Sequence, residues 1–291
     1  MNPMGKVIIR IKGGLGNQLF CYAAARRLAL ANGAELVIDD VTGFVRDARY
    51  RRKYMLDHFN IGARKATPPE RMEPFERLRR GLAKWLSRRR PFGARAYLEQ
   101  EGLEFDPRLL ALKVKDTVYL DGYWHSENYF KDREREIRED LRMSPPADAA
   151  NLRVEAEIRS RASVALHVRL FEATGSAGAS DAPADYYRRA VDYMDAKAGR
   201  PHYFLFSDMP EEARSRIGLP GDRLTVVSHN RAGDAACADL WLMGRCSHFI
   251  TANSTFSWWG AWLSDSPGKI VVAPAAGFAN DDAVPGTWVK L

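Results

Sequence analysis

No stretch of about 18 apolar residues occurs in the 291-residue sequence, so no segment is predicted to span a membrane. At the N-terminus, MNPMGKVIIRIKGG is interrupted by Arg10 and Lys12, which removes the apolar run a secretory signal needs. Only three cysteines are present, Cys21, Cys237 and Cys246, and none has paired spacing. That argues against a disulfide scaffold and a zinc site, and it fits a reducing, cytoplasmic compartment. Internal repeats and low-complexity tracts are missing too. There is no Asp-x-Asp motif, and no acidic pair is expected at a strand end to bridge a metal to phosphates, so no metal is assigned. The dinucleotide fingerprint and the P-loop lysine are absent.

What the chain does have is apolar bulk, at 46% of residues, enough for one large core or two modest ones. A break at Met143-Ser-Pro-Pro-Ala-Asp148 places a junction there and predicts domains at 1–147 and 148–291. Charge is concentrated in one place. Lys and Arg number 44 against 37 Asp and Glu. Residues 71–95, RMEPFERLRRGLAKWLSRRRPFGAR, hold nine basic and two acidic residues, so this segment carries the whole surplus of seven. Phe75, Leu78, Leu82 and Trp85 or Leu86 recur at helical spacing, which predicts a basic amphipathic helix inserted in the first domain. Three settings fit it: a nucleic acid, for which no motif is present, an anionic membrane surface, or the apolar face docked on its own domain.

Both halves read as α/β. Lys6–Ile11 is a buried strand that enters GGLGNQ, then a helix over Leu19–Ala31 with Gly33 as its C-cap, then a strand over Glu35–Ile38. Strands follow at 118–124, 163–168, 202–206 and 224–227, with helices over 184–197 and 210–217 and a last strand at 269–273. Strands separated by helices of about ten residues predict a parallel, doubly wound sheet, which binds ligands beyond the carboxyl ends of its strands. His167 and Arg169, Ser207 and Asp208, and Asn253, Ser254 and Thr255 fall at those ends.

The most informative stretch is CADLWLMGRCSHFITANSTFSWWGAWL, residues 237–263. It reads as a helix over Asp239–Arg245, a strand over His248–Thr251, a polar turn, and an apolar helix rich in tryptophan. Asn, Ser and Thr ahead of a helix cap its first amides, and the same terminus favours an anion. Arg169 beside it would offer a diphosphate a bidentate guanidinium. Asp239 could accept from the ring N–H and the exocyclic amine of guanine. Each also has an ordinary reading: His167 as a structural histidine, Arg169 as the partner of a carboxylate, and Asp208 as a helix cap.

In their order along the chain, GGLGNQLF, YAAARRLA, SENYF, HVR, DYYRRAVDYM, FSDMPE, the 237–263 stretch and VVAPAAGF…WVKL resemble the motifs of bacterial α-1,2-fucosyltransferases. The resemblance runs from about residue 6 to the C-terminus and is weakest between about 40 and 115. It implies a GT-B-like fold of two Rossmann-like domains, with the acceptor mostly on the first and GDP-fucose on the second. It further implies inverting transfer of L-fucose to a galactoside as an α-1,2 link without a required metal, serving surface polysaccharide or glycolipid synthesis. His167 and Asp239 would face guanine. Arg169, Ser254 and Thr255 would face the diphosphate, with Asn253, Asp208, Gly14 and Asn17 counted among the donor-binding residues.

One motif departs from the family. HxRRGDY is here HVRLFEA, with Leu170 in place of the second arginine and Glu172 in place of the acid. Arg169 and Glu172 are the candidate catalytic residues, as diphosphate ligand and as general base. Because Leu170 and Phe171 alter the hexose side of the pocket, two alternatives stay open: another GDP-sugar, or a non-catalytic module that binds a nucleotide sugar or glycan. A membrane partner would be peripheral, at the inner face.

Overall fold

The computed structural model describes residues 5–170, 182–231, 235–278 and 280–291, in two compact units. The first comprises Met1–Arg142 and Ala279–Ala283, the second Met143–Phe278 and Val284–Leu291. Glu172 and its neighbours lie outside the described residues.

In the first unit, β1 (Lys6–Arg10), α1 (Leu15–Asn32), β2 (Glu35–Asp39) and β3 (Arg64–Lys65) are followed by α2 (Glu76–Arg88) and β4 (Tyr97–Glu99). Then come α3 (Arg108–Ala111), β5 (Thr117–Asp121) and α4 (Glu134–Asp140). The strands form one parallel sheet in the order β3-β2-β1-β5-β4. Val7, Ile8 and Ile9 put β1 at the centre of the core. Gly13 turns the chain at φ +79°, where a Cβ would lie 2.7 Å from Asn17 Nδ2. Helix α1 starts at Leu15, four residues ahead of expectation, so Gly16, Asn17 and Gln18 are helical rather than part of a loop. The cause is tertiary. The buried Gln18 amide donates to Gly13 O at 3.0 Å and Lys53 O at 2.8 Å, and accepts from Met55 N–H at 2.9 Å. At the other end Gly33 closes the helix at φ 59°, the left-handed cap its position predicts.

Two expectations need correcting in this unit. The second strand continues past Ile38 to Asp39, so an acidic pair, Asp39-Asp40, does stand at a strand end. Asp39 is already engaged, accepting from Thr42 N–H at 2.9 Å, from the Thr42 hydroxyl and from the Tyr119 hydroxyl. Asp40 pairs with Lys65 at 3.6 Å through one oxygen and keeps the other buried without a hydrogen-bond partner among the described residues. The basic helix forms as α2, but its apolar stripe is not the face that docks on its own unit. Ala83 packs beside Tyr97 and Tyr119, and Ser87 Oγ accepts from Tyr97 N–H at 3.0 Å, which leaves Leu78 and Leu82 exposed.

In the second unit, α5 (Ala149–Arg159) precedes β6 (Ser163–Val168), α6 (Ala184–Ala198), β7 (His202–Ser207), α7 (Pro210–Ile217) and β8 (Leu224–Val227). After them come α8 (Ala235–Met243), β9 (His248–Ile250), α9 (Thr255–Leu263), β10 (Val271–Ala273) and β11 (Val289–Lys290). Every pairing is parallel, in the order β11-β10-β9-β6-β7-β8. That is the Rossmann order: the chain winds outward through β7 and β8, returns, and resumes at β9 on the other side of β6. The two loops that diverge at this reversal follow β6 and β9. Helix α9 is anchored by its tryptophans. Trp258 and Trp259 are fully buried, and Trp258 stacks on Trp262 with centroids 6.2 Å apart and lies 5.6 Å from Trp288. Gly260 lets α8 approach, since a Cβ there would lie 3.0 Å from the Met243 side chain.

Candidate functional site

At the carboxyl ends of β6, β7 and β8 and the start of α9 lies a cleft of about 800 Å³, wholly within the second unit. That size suits a nucleotide-sized ligand, since small-molecule pockets run to roughly 300–1,000 Å³. Of the residues expected at the site, His167, Arg169, Asp208, Asp239 and Ser254 line it, along with Ser207. Asn253 and Thr255 flank Ser254 in the chain but do not line the cleft. The Asn253 side chain packs instead at Gly277, where a Cβ would fall 2.0 Å from its Nδ2. Gly277 holds φ +105°, so the close approach and the backbone both call for glycine. Gly14 and Asn17 belong to the first unit, where Gly14 is the N-cap of α1 and Asn17 Oδ1 sits 3.1 Å from His125 Nε2.

His167, on the last turn of strand before the loop, is buried with its ring tilted against Phe256 at 5.6 Å between centroids. Its Nδ1 is buried without a hydrogen-bond partner among the described residues. Burial, with the Arg169 guanidinium second, pushes the imidazole down to about 3. It is therefore neutral at any physiological pH. A buried polar atom left unpaired costs about 1–3 kcal/mol, and this one lies in the lining of the cleft.

Arg169 pairs with Asp208, Nη1 to Oδ2 at 3.2 Å, and is half-exposed. The other Asp208 oxygen accepts from Leu170 N–H at 3.0 Å. Asp208 therefore ties the end of β7 to the loop leaving β6. It does not cap α7; the nearest such bond is Met209 N–H to Ser207 Oγ at 3.1 Å. With a carboxylate orienting it, the guanidinium is held at the mouth of the cleft rather than left to search for a ligand.

Asp239 faces the cleft from α8 and accepts from Asn230 Nδ2 at 2.8 Å. Burial pushes this carboxyl up to about 7, only partly offset by the Asn230 bond. Asn230 and Asn151 exchange amide hydrogen bonds at 2.9 Å, and Asp148, the N-cap of α5, accepts from Asn151 N–H at 2.9 Å. This chain of amides fixes the acid from behind.

Ser254 caps α9, its Oγ accepting from Phe256 N–H at 3.3 Å. The far end of the same helix is closed by Lys269, whose Nζ donates to Ala261 O and Ser264 O, both at 2.7 Å. A cation at the C-terminus and the Ser254-capped N-terminus at the cleft leave α9 with its positive end on the cleft. Asn230 and Arg231, which also line the cleft, were not anticipated. The signal was available: they follow β8 just as Asp208 follows β7. Among the described residues no group of three or more His, Cys, Asp or Glu is placed to hold a metal ion.

Two parallel doubly wound units in one chain, with a cleft at the switch point of a Rossmann sheet, are the architecture of GT-B glycosyltransferases. The glycosyl transferase family 11 model matches residues 6–290, and the chain belongs to that family, in agreement with the resemblance read from its ordered motifs. Similar proteins include an alpha-1,2-colitosyltransferase of Escherichia coli, 26% identical over 306 residues and 99% of each chain. Another is the O-antigen biosynthesis glycosyltransferase WbnK of Escherichia coli, 28% identical over 97% of this chain and 99% of its own. Among solved structures, an Arabidopsis thaliana FUT1 mutant in complex with GDP aligns at TM-score 0.52 and 12% identity, covering 96% of this chain and 72% of that one. The fucosyltransferase NodZ from Bradyrhizobium aligns at TM-score 0.50 and 18% identity, covering 88% and 91%. These likenesses show the fold.

Proposed function

We propose that the chain transfers a sugar from a GDP donor held in the cleft of the second unit, with inversion and without a metal ion. The observation that carries this is the convergence in one cleft of a buried carboxyl at α8, a fixed guanidinium after β6 and the N-terminus of α9. In this reading the ionised Asp239 accepts from the ring N–H and amine of guanine. Arg169 and the first amides of α9 take the diphosphate and stabilise the charge that grows on it as the glycosidic bond breaks. Arg231 supplies a second guanidinium, in place of the family's arginine that is Leu170 here. Glu172 is retained as the general base that takes the acceptor proton, on its motif position alone.

For the sugar, we propose L-fucose from GDP-β-L-fucose, passed to a galactoside as an α-1,2 link. A second reading, another GDP-sugar, is favoured by the exchange of Arg-Arg for Arg169-Leu170 and by the similarity to a colitosyltransferase. Transfer assays with GDP-fucose, GDP-colitose and GDP-mannose, each with and without EDTA, separate these readings. One GDP-sugar should turn over, and EDTA should leave its rate unchanged. Activity lost in EDTA and restored by magnesium or manganese would overturn the metal-free mechanism. GDP binding without turnover of any donor would identify a binding module instead.

A further inference from the structure

Helix α2 lies on the first unit with its amphipathic face turned the wrong way for a core. The inward side carries small and polar groups: Ala83 against the paired rings of Tyr97 and Tyr119, Ser87 accepting from Tyr97 N–H, and Lys84 reaching Glu99 at 2.6 Å and Asp121 at 3.4 Å. The outward side carries the apolar stripe. Phe75 is 69% exposed, Leu78 74%, Leu82 58%, Trp85 52% and Leu86 45%. Soluble surfaces rarely present so many large apolar side chains in one stripe without an occupant.

Arginines border that stripe on both sides. Arg77 and Arg88 lie along one edge and Arg79 along the other, and all three are exposed, as is Arg90 past the helix. Beyond the helix end, the Arg89 guanidinium sits 3.2 Å from the Trp85 ring centre. Such side chains can keep their charge in the polar layer while their stems follow an apolar residue inward. The segment holds the entire positive surplus of the chain. A second copy of this face would set arginines against arginines. An anionic bilayer offers both complements, a hydrocarbon boundary for the stripe and a negative headgroup layer for the arginines.

From this we infer that the outer face of α2 docks the protein on an anionic lipid surface, with the helix lying in the plane of the headgroups. No helix among the described residues is long and apolar enough to cross a membrane, so the contact is peripheral. The inference concerns the first unit alone and does not depend on the donor reading.

Flotation of the full chain with phosphatidylcholine vesicles, with and without phosphatidylglycerol, tests it. Binding is expected only where phosphatidylglycerol is present, and it should weaken as salt rises. The variant Leu78→Ser, Leu82→Ser, Trp85→Ser should partition at least about tenfold more weakly. Replacing Arg88, Arg89 and Arg90 by Gln should weaken binding to a comparable degree, with far-UV spectrum and melting point unchanged for both variants. Failure to float with anionic vesicles at low salt would overturn the proposal, as would a serine variant that floats like the parent. A lipid-free dimer abolished by the serine substitutions would assign the stripe to self-association. Retention on duplex oligonucleotides without vesicle binding would assign the arginines to nucleic acid. Either result would contradict the lipid reading.

Discussion

Both units place polar residues at the carboxyl ends of a parallel sheet, and they treat them in opposite ways. At the end of β5 in the first unit the groups close on one another, although Asp40 Oδ1 after β2 is buried without a hydrogen-bond partner among the described residues. Asp121 is 3% exposed and takes Lys12 at 2.7 Å, Arg10 at 3.4 Å, Lys84 at 3.4 Å and the Tyr97 hydroxyl at 2.7 Å. Against burial, which raises it, Lys12 and Arg10 pull this carboxyl well below the usual range. In the second unit the groups stay open. Among the described residues His167 keeps a buried nitrogen without a hydrogen bond, and Asp239, pushed up to about 7, accepts from the Asn230 amide. Satisfied polar networks hold a fold together, while unsatisfied ones mark where a ligand will complete them. The location is set by the fold in both cases; the proposed donor site falls where the polar groups lining the cleft are less fully paired.

That contrast breaks most visibly at Asp121. Removing it by Asp121→Ala leaves three cations facing a buried site, and breaking such a pair costs about 3–5 kcal/mol. Denaturant unfolding should show that loss, whereas GDP affinity per folded molecule should match the parent. A loss of GDP binding without a loss of stability would mean that the first unit's network is not structural.

Arg169→Ala is the mirror experiment. Its ion pair with Asp208 is partly solvated, so its removal should change stability by no more than about 1 kcal/mol. Transfer should fall by the equivalent of about 2–5 kcal/mol, because a charged partner of the diphosphate is lost. Near-normal kcat/KM in a folded variant would remove Arg169 from the site.

How far the sequence revealed this can be said element by element. The parallel sheets, the cap on α9 and the strand-end positions of His167, Arg169 and Asp208 follow from period and from Rossmann geometry, which are local or general rules. The start of α1 did not, because the Gln18 bonds that hold GGLGNQ in a helix come from Lys53 and Met55, far along the chain. Nor did the orientation of α2. Periodicity identifies an apolar stripe but assigns no direction to it, and here Ala83 and Ser87 fit against Tyr97 where bulky side chains would not. Asn230 and Arg231 belong to no motif, and only their place after β8 marks them, as the place of Asp208 after β7 marks it.

The central claim, that the cleft of the second unit holds guanosine diphosphate through an ionised Asp239, is most directly tested by titrating GDP calorimetrically from pH 5.5 to 8. The sign follows from the raised pKa. In the free protein the carboxyl is protonated below about 7 and cannot accept from both guanine donors. Affinity should therefore be flat above pH 7 and fall by up to about tenfold per unit below it, until the pKa of the complex is reached. In Asp239→Asn, GDP affinity at pH 8 should be roughly 10- to 100-fold weaker, as expected for losing hydrogen bonds to a charged acceptor. The variant should also lose the parent's pH dependence apart from the titration of the phosphate, which both proteins share. Its unliganded fold should be the more stable one at pH 8, because the stabilisation carried by a protonated buried acid is lost as pH rises through about 7. Equal GDP affinity in parent and variant, with the same pH profile, would contradict the account.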